Sequence, residues 1–491
     1  MDDVMNLFEE LARSGVQLSE LDGQLKVTAA KGVLTQGLKQ RIAENKRDLL
    51  EALQGSSNKS VSPTVTILQS RSDEDHLPFP LSDLQLGFYV AGDPYMEFHV
   101  RPHCYMELDR TNLDVRRYEQ AWNDALAHHR RELCKVNSDA QLELLIDLPR
   151  IRIAVNDLTA LAPPQAQEAL LATRAKMERK ELPLDCWPWF EICVSQWTEN
   201  SQTRWRIHYN HNNFFIDGYG STILLLEIEQ RYTDPSFKTA QVAISYREAV
   251  LGLEALAETE EGRAAKSYWM NRLESLPPPP AVPLRAQPNR RCRSKLERRE
   301  RFLTRTTWES LKAHAAAHGI TPSNALTTAY ATVLSAYSNS DHFILSEMVT
   351  RRTPELHPDM MRMLGNFVSL YPLEVKLDAD ASFAENASRI QRQVLQDMKH
   401  LQFGGMRVMQ ALNRQKGGFG DAPSPFVVGS GLFLKKWGMA DYTVLETSQT
   451  LLDHQFFELG DGRLHWVWDL LEEFFPVGLK NCGSKQSMSF R

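Results

Sequence analysis

The spacing of apolar and polar positions changes period several times along the chain. In residues 204–228, RWRIHYNHNNFFIDGYGSTILLLEI, positions 205–209 alternate as a strand does, and Ser221 to Ile228 carry an aliphatic run suited to a buried helix. The polar cluster between them therefore lies where a strand opens into a helix. Near the amino terminus, Val4, Leu7, Phe8 and Leu11 recur at helical spacing and Gly15 ends that helix. Residues 16–18 and 24–28 then read as two short strands about the turn Asp22-Gly23, and Leu38, Ile42, Leu49, Leu50 and Leu53 predict one or two further amphipathic helices. Ser82 is a plausible cap for a helix that turns Leu84, Phe88 and Tyr89 inward.

Breaks in this patterning divide the chain. The first unit spans 1–54, and residues 55–76, rich in Ser, Asn and Asp, read as a flexible linker. A first lobe is expected over 77–270. Tyr268-Trp269-Met270-Asn271-Arg272-Leu273 and the following Pro277 to Pro280 predict a helix halted by a stiff connector, 271–300. A second lobe follows over 301–480, in which Thr321 and Pro322 start a helix with Leu326, Tyr330, Val333 and Leu334 facing inward, and a polar tail spans 481–491.

The 491 residues are 42% hydrophobic, ordinary for packed cores, and a net charge of -6 gives no reason to expect nucleic acid or an anionic membrane as partner. The exception is the basic run Arg290 to Arg301, whose simplest reading is a solvated surface segment. Cys104, Cys134, Cys186, Cys193, Cys292 and Cys482 show no CxxC pair and no metal-like spacing. No metal is expected, and a reducing, cytoplasmic setting suits them. The amino terminus is acidic and amphipathic, unlike a secretory signal, and no apolar stretch approaches the ~18 residues of a bilayer-spanning helix.

The motif Asn212-Asn213-Phe214-Phe215-Ile216-Asp217-Gly218 resembles the HHxxxDG and DxxxxD elements of nonribosomal peptide synthetase acyltransfer domains, of the condensation and heterocyclization types respectively. Further blocks resemble the heterocyclization branch in order: Phe79 to Gly92, Cys104 to Asp109, Leu184 to Glu191, Tyr268 to Leu284, Gly365 to Ser369, Pro425 to Ser430, Leu452-Asp453-His454-Gln455, and Phe475 to Leu479. Residues 1–54 resemble the amino-terminal docking domain named after a tubulysin synthetase. That resemblance implies an exposed hairpin, with Leu25, Lys26 and Val27 as candidate edge, that accepts the carboxy-terminal docking peptide of an upstream subunit.

The implied fold is α/β: a small αββαα docking domain, then a pseudo-dimer of two chloramphenicol-acetyltransferase-like α/β sandwich lobes with a tunnel between them. The implied partners are upstream and downstream carrier proteins, whose 4'-phosphopantetheine arms hold the substrates, and the chain itself binds no cofactor. The amine of a carrier-bound Cys, Ser or Thr would attack an acyl thioester, and in a cyclizing domain the side chain would then close a ring with loss of water. Asp453, of the LDHQ element, is the candidate acid-base, Asp217 a loop anchor and Asn212 a group that could hydrogen-bond substrate, all three expected to look into the passage between the lobes, with Ser430, Thr447 or Ser369 as the hydroxyl that would partner Asp453. His211, Asn213, Gly429, Thr447, Gln455 and Ser369 are expected to line the tunnel.

Four departures bear on chemistry. Asn212 stands where the motif has a histidine or its first Asp, Gly429 stands where the family places a threonine beside the aspartate, Asn366 replaces an Asp, and Gly220 replaces a common serine. Amide formation by positioning alone therefore ranks first, before cyclization through a rearranged dyad or a noncatalytic carrier-binding adaptor. A coenzyme A-dependent acyltransferase of the same fold is a further alternative that the docking unit argues against. His128-His129 lacks the following Asp-Gly and is expected on a helix, in a surface or hinge role rather than in catalysis. The chain reads as either a free-standing subunit or a piece of a longer synthetase.

Overall fold

The period-two stretches form fifteen strands among the described residues of this computed structural model, which are 17–21, 24–28, 42, 46, 68–285, 295–415, 421–434 and 440–476. In chain order these are β1 (Gln17–Leu21), β2 (Gln24–Thr28), β3 (His103–Arg110), β4 (Cys134–Val136), β5 (Leu142–Leu144), β6 (Ala154–Asp157), β7 (Phe190–Glu199) and β8 (Gln202–Asn212). The second half adds β9 (Glu297–Leu303), β10 (His342–Thr350), β11 (Val368–Lys376), β12 (Phe426–Ser430), β13 (Tyr442–Glu446), β14 (Leu452–Glu458) and β15 (Leu464–Leu470). One sheet runs β13-β3-β8-β7-β6 and the other β11-β10-β12-β14-β15-β9. With helices packed on both, this is the expected pair of α/β lobes.

The lobes exchange material, which linear domain boundaries do not express. Strand β13 belongs to the second half by sequence yet pairs with β3, completing the first sheet through Thr443↔Met106 and Leu445↔Cys104. Conversely Leu356, Met360, Met363, Leu364 and Phe367, which follow β10, are buried in the first lobe's core against residues such as Trp122, Trp189 and Phe214. The second core gathers Trp269, Trp308, Tyr371 and Phe426. Large aromatics dominate both because each removes some 150–250 Å² from water.

Helix starts follow the sequence signals. In α1 (Asp83–Ala91) the Ser82 hydroxyl accepts from the Gln85 amide at 3.3 Å, and the Gln85 side chain accepts from the Ser82 amide at 3.0 Å, a complete capping box. The inward face is corrected, however. Leu84 and Gln85 are buried while Tyr89 is exposed, because the Gln85 amide group reaches the Phe214 carbonyl at 3.0 Å and rotates the helix accordingly.

The linker and connector are shorter than their composition suggested. Residues from Leu68 on are packed: the Leu68 amide donates to the Leu356 carbonyl at 3.0 Å, and Arg131 holds Asp75 at 2.6 Å. Strand β9 begins at Glu297, inside the expected 271–300 connector. The basic run is corrected at one position. Arg299 and Arg301 are exposed as expected, but Arg298 is largely buried and pairs in two parallel hydrogen bonds with Asp469, at 2.8 and 2.7 Å.

In the amino-terminal unit β1 pairs antiparallel with β2 in the register Leu18↔Val27, Ser19↔Lys26 and Glu20↔Leu25. The candidate edge residues Leu25, Lys26 and Val27 thus lie on β2, and β1 extends to Leu21 rather than stopping at Leu18. Ile42 and Lys46 are helical, as expected. The first helix, the Asp22-Gly23 turn and the 481–491 tail lie outside the described residues.

Candidate active site

A cavity of about 300 Å³ lies between the lobes, where β8 and the start of α2 (Gly218–Thr233) face the ends of β10, β12 and β14, with β13 crossing beside them. Register decides what faces it. Along β14 alternate residues share a face. Gln455 and Phe457 line the cavity, whereas His454 points into the second core, stacked on Tyr330 at 4.4 Å and accepting from the indole nitrogens of Trp466 and Trp468. Burial holds the His454 imidazole neutral, with its pKa pushed down to about 3.

Asp453 shares the Gln455 face but is fully buried, one layer behind the cavity wall. Its Oδ2 accepts from Gln455 Nε2 at 2.8 Å and from the Thr447 hydroxyl at 3.4 Å, and both of those residues line the cavity. Oδ1 has no partner among the described residues. Burial, reinforced by the neighbouring Asp469 carboxylate, pushes the Asp453 pKa up to about 7, a value suited to giving and taking protons near neutrality. The expectation that Asp453 itself looks into the passage is corrected, since Thr447 and Gln455 stand between.

The other expected hydroxyls do not reach Asp453. Ser369 pairs with Val349 on the far sheet edge and lines a separate small depression, so it is no cavity residue. Ser430 lines the cavity but pairs with Phe456, one position out of step with Gly429 and Gln455. A Cβ on Gly429 would meet the Met348 sulfur at 3.3 Å, so a side chain there would need the flexible Met348 side chain to shift by a few tenths of an ångström.

On the first-lobe side, His211 and Asn213 line the cavity. Burial pushes the His211 pKa down to about 3, and its Nδ1 has no partner among the described residues. Asn212 is turned away, which corrects its assignment as a substrate-binding group: Nδ2 donates to the Leu182 carbonyl at 3.1 Å and Oδ1 accepts from the Phe214 amide at 2.9 Å. It builds the strand-to-helix corner instead.

Asp217 behaves as the expected anchor rather than a base. Its carboxylate caps α2 through the Gly220 amide at 2.6 Å, accepts from the Phe367 amide at 2.9 Å, and pairs with buried Arg352 at 3.0 Å. All of these bonds but the cap cross from one lobe to the other. Asn366 adds another, donating to the Asn213 carbonyl at 2.6 Å.

Asp469 and Arg298 were not singled out by the sequence. They extend the Asp453 row across neighbouring strands, Asp453↔Asp469 and Asp469↔Arg298, and Arg298 lines the cavity. The signal available was the alternation in residues 464–470, LHWVWDL, which needs the register with β14 before it means anything.

The expectation for His128-His129 is half corrected. His129 is buried, its ring nitrogens 2.9 Å from Glu132 and 3.0 Å from Glu227. Burial opposes its charge, but the two carboxylates outweigh that and raise its pKa to about 9. His128, His129 and Glu227 place ligand-type atoms within 4.8 Å of one another. With both His129 nitrogens already engaged, the group reads as an ion network rather than a metal site.

Comparison with known proteins agrees with this architecture. The condensation-domain model matches residues 78–419, and the TubC N-terminal docking-domain model matches residues 4–55. The chain is 27% identical over 481 residues to the pyochelin synthetase PchF of Pseudomonas aeruginosa, covering 96% of this chain and 26% of that protein. It is 27% identical over 440 residues to the phenyloxazoline synthase MbtB of Mycobacterium tuberculosis, covering 86% and 30%. The chain thus spans about a quarter of the length of these curated relatives. The cyclization-docking bidomain of EpoB from Sorangium cellulosum superposes with a TM-score of 0.80 at 26% identity, over 98% of this chain and 96% of that one. No helix among the described residues is long and apolar enough to cross a membrane. With the family model covering most of the chain and both lobes matched in space, this protein belongs to the condensation-domain family of nonribosomal peptide synthesis and carries a TubC-type docking domain at its amino terminus.

Proposed function

We propose that the chain joins two carrier-bound substrates, transferring an acyl or peptidyl thioester to the amine of a Cys-, Ser- or Thr-type acceptor, and then cyclizes the new amide with loss of water. The observation that carries the second step is Asp453, buried behind the cavity and hydrogen-bonded to Thr447, which touches the cavity. A threonine on β12 is the partner implied by the family resemblance, and here β12 has Gly429. Thr447, on the segment just after β13, supplies a hydroxyl from another direction.

The dyad accounts for the proton movements. As the thiol or hydroxyl adds to the amide carbon, its proton passes to Thr447 while the Thr447 proton passes to Asp453. The same relay returns a proton to the former carbonyl oxygen, leaving a neutral hydroxyl. In the dehydration the amide N–H proton enters the relay, the hydroxyl takes a proton and departs as water, and the C=N bond forms. Asp453 ends as it began, which a group titrating near neutrality does most readily.

The carriers' phosphopantetheine arms would bring both substrates, and the docking hairpin would recruit the upstream subunit by strand addition. Reconstitution with acyl- and cysteinyl-loaded carriers tests the reading. The expected product sits on the downstream carrier and has lost water. An uncyclized amide would reduce the function to condensation, and an acyl group left on the upstream carrier would mark an adaptor.

A further inference from the structure

The row Asp453, Asp469, Arg298 crosses three adjacent strands of the second sheet, and its last member faces the cavity that Thr447 and Gln455 line. Asp469 is buried, and its two oxygens grip Arg298 through Nε at 2.8 Å and Nη2 at 2.7 Å. This fork fixes the guanidinium plane. The remaining Nη1 makes no hydrogen bond among the described residues. A strut holding β9 to β15 needs only the bidentate contact, and an apolar pair of similar volume serves as well. A guanidinium presented at the wall of an otherwise largely apolar cavity has a further use.

We propose that Arg298, oriented by Asp469, contacts the oxygen of the carbonyl under attack and stabilises the negative charge that develops there. The inference rests on the acyl-transfer reading of the same cavity. When the acceptor nitrogen bonds to the thioester carbon, the carbonyl π pair moves onto oxygen. The tetrahedral adduct then expels the phosphopantetheine sulfur, which leaves with the proton lost by the nitrogen. Addition of the thiol or hydroxyl to the new amide places charge on the same kind of oxygen. A preorganised cation at the wall of a largely apolar cavity acts at that moment without reorganising. Asp469 is a positioning residue in this scheme, and Arg298 touches the substrate.

Two measurements on the full-length chain test it. A thioester of N-acetylcysteamine labelled with ¹³C at its carbonyl should show a downfield shift on binding to the wild type, and no such shift when bound to Arg298→Met. With loaded carriers, Arg298→Met should lower kcat about 100-fold, the loss typical of one oxyanion donor, with little change in KM. Added guanidinium ion should restore part of the rate to Arg298→Ala, which a merely structural arginine would not allow. The double variant Arg298→Met/Asp469→Met removes both charges together, guards against misfolding, and should show the same kinetic loss. A carbonyl resonance and kcat unchanged in either variant would overturn the inference while leaving acyl transfer intact. A wild type that moves no acyl group yet shows the arginine-dependent shift would remove the proposed reaction and keep the contact.

Discussion

At the scale of single residues the site depends on where one hydroxyl sits. Replacing Thr447 by Ala removes the group between the cavity and Asp453, and cyclization is expected to fall by about 10²–10⁴-fold, the range of general acid-base contributions, while amide formation persists. Product mass after carrier offloading separates the two. Gly429 offers a complementary experiment, because a Cβ there meets only the side chain of Met348, at 3.3 Å or more. Gly429→Thr in the Thr447→Ala background is expected to fold and to recover cyclization. Asp453 itself leaves a stability signature. Its folded pKa of about 7 lies above the ordinary carboxylate value, so the unfolded chain ionises first and stability falls as pH rises from about 4 to 7. Asp453→Asn should therefore be less destabilising, or stabilising, at pH 8 than at pH 4, as thermal denaturation at the two pH values would show. Much of this site was readable beforehand: Asp453 and Gln455 stand two apart and share a face of any strand. Which of the candidate hydroxyls reaches Asp453 was not, because Thr447, at 3.4 Å, sits past the end of β13, a strand paired into the other lobe's sheet.

Among the elements, the strand-to-helix corner after β8 is the joint of the molecule. Asp217 caps α2 and binds Arg352, which follows β10 in the second half, and both side chains are buried. Arg352→Met leaves that carboxylate without its cation and should destabilise the chain by about 3–5 kcal/mol, measured by denaturant or thermal unfolding. The anchoring role of Asp217 was implied by the family resemblance. Its partner did not, being 135 residues away. A second joint lies at His129, between Glu132 and Glu227, with Glu132 also accepting from the Leu364 amide at 2.5 Å. The histidine's pKa is raised to about 9, so its contribution is complete below the unfolded value near 6.5 and is lost as pH climbs through 9. His129→Gln should flatten the dependence of melting temperature on pH over that window. The sequence assigned this histidine to a surface or hinge role because a helix in isolation does not reveal which flank α2 covers.

For the whole molecule, the proposed function assigns recruitment to the docking unit and chemistry to the two lobes. Removing residues 1–54 is expected to leave the rate at saturating carrier unchanged and to raise the carrier concentration needed for half-maximal rate. Tethering acts through effective concentration, in the mM range for short flexible linkers, and not through the reacting groups. A carrier titration of the two chains measures it. Periodicity and turn residues determined many of the elements, because these depend on neighbours a few positions apart, while the family resemblance of the ordered motif blocks implied the two-lobed α/β class and the LDHQ carboxylate. Tertiary structure alone decided that Asn212 faces away from the cavity, that Thr447 is the hydroxyl within reach of Asp453, and that Asp469 and Arg298 join the row. Those assignments rest on cross-strand register and on β13 changing sheets. Thr447 stands only 6 positions from Asp453 and Arg298 as many as 171 from Asp469, and in neither case does local spacing carry the register that brings them together.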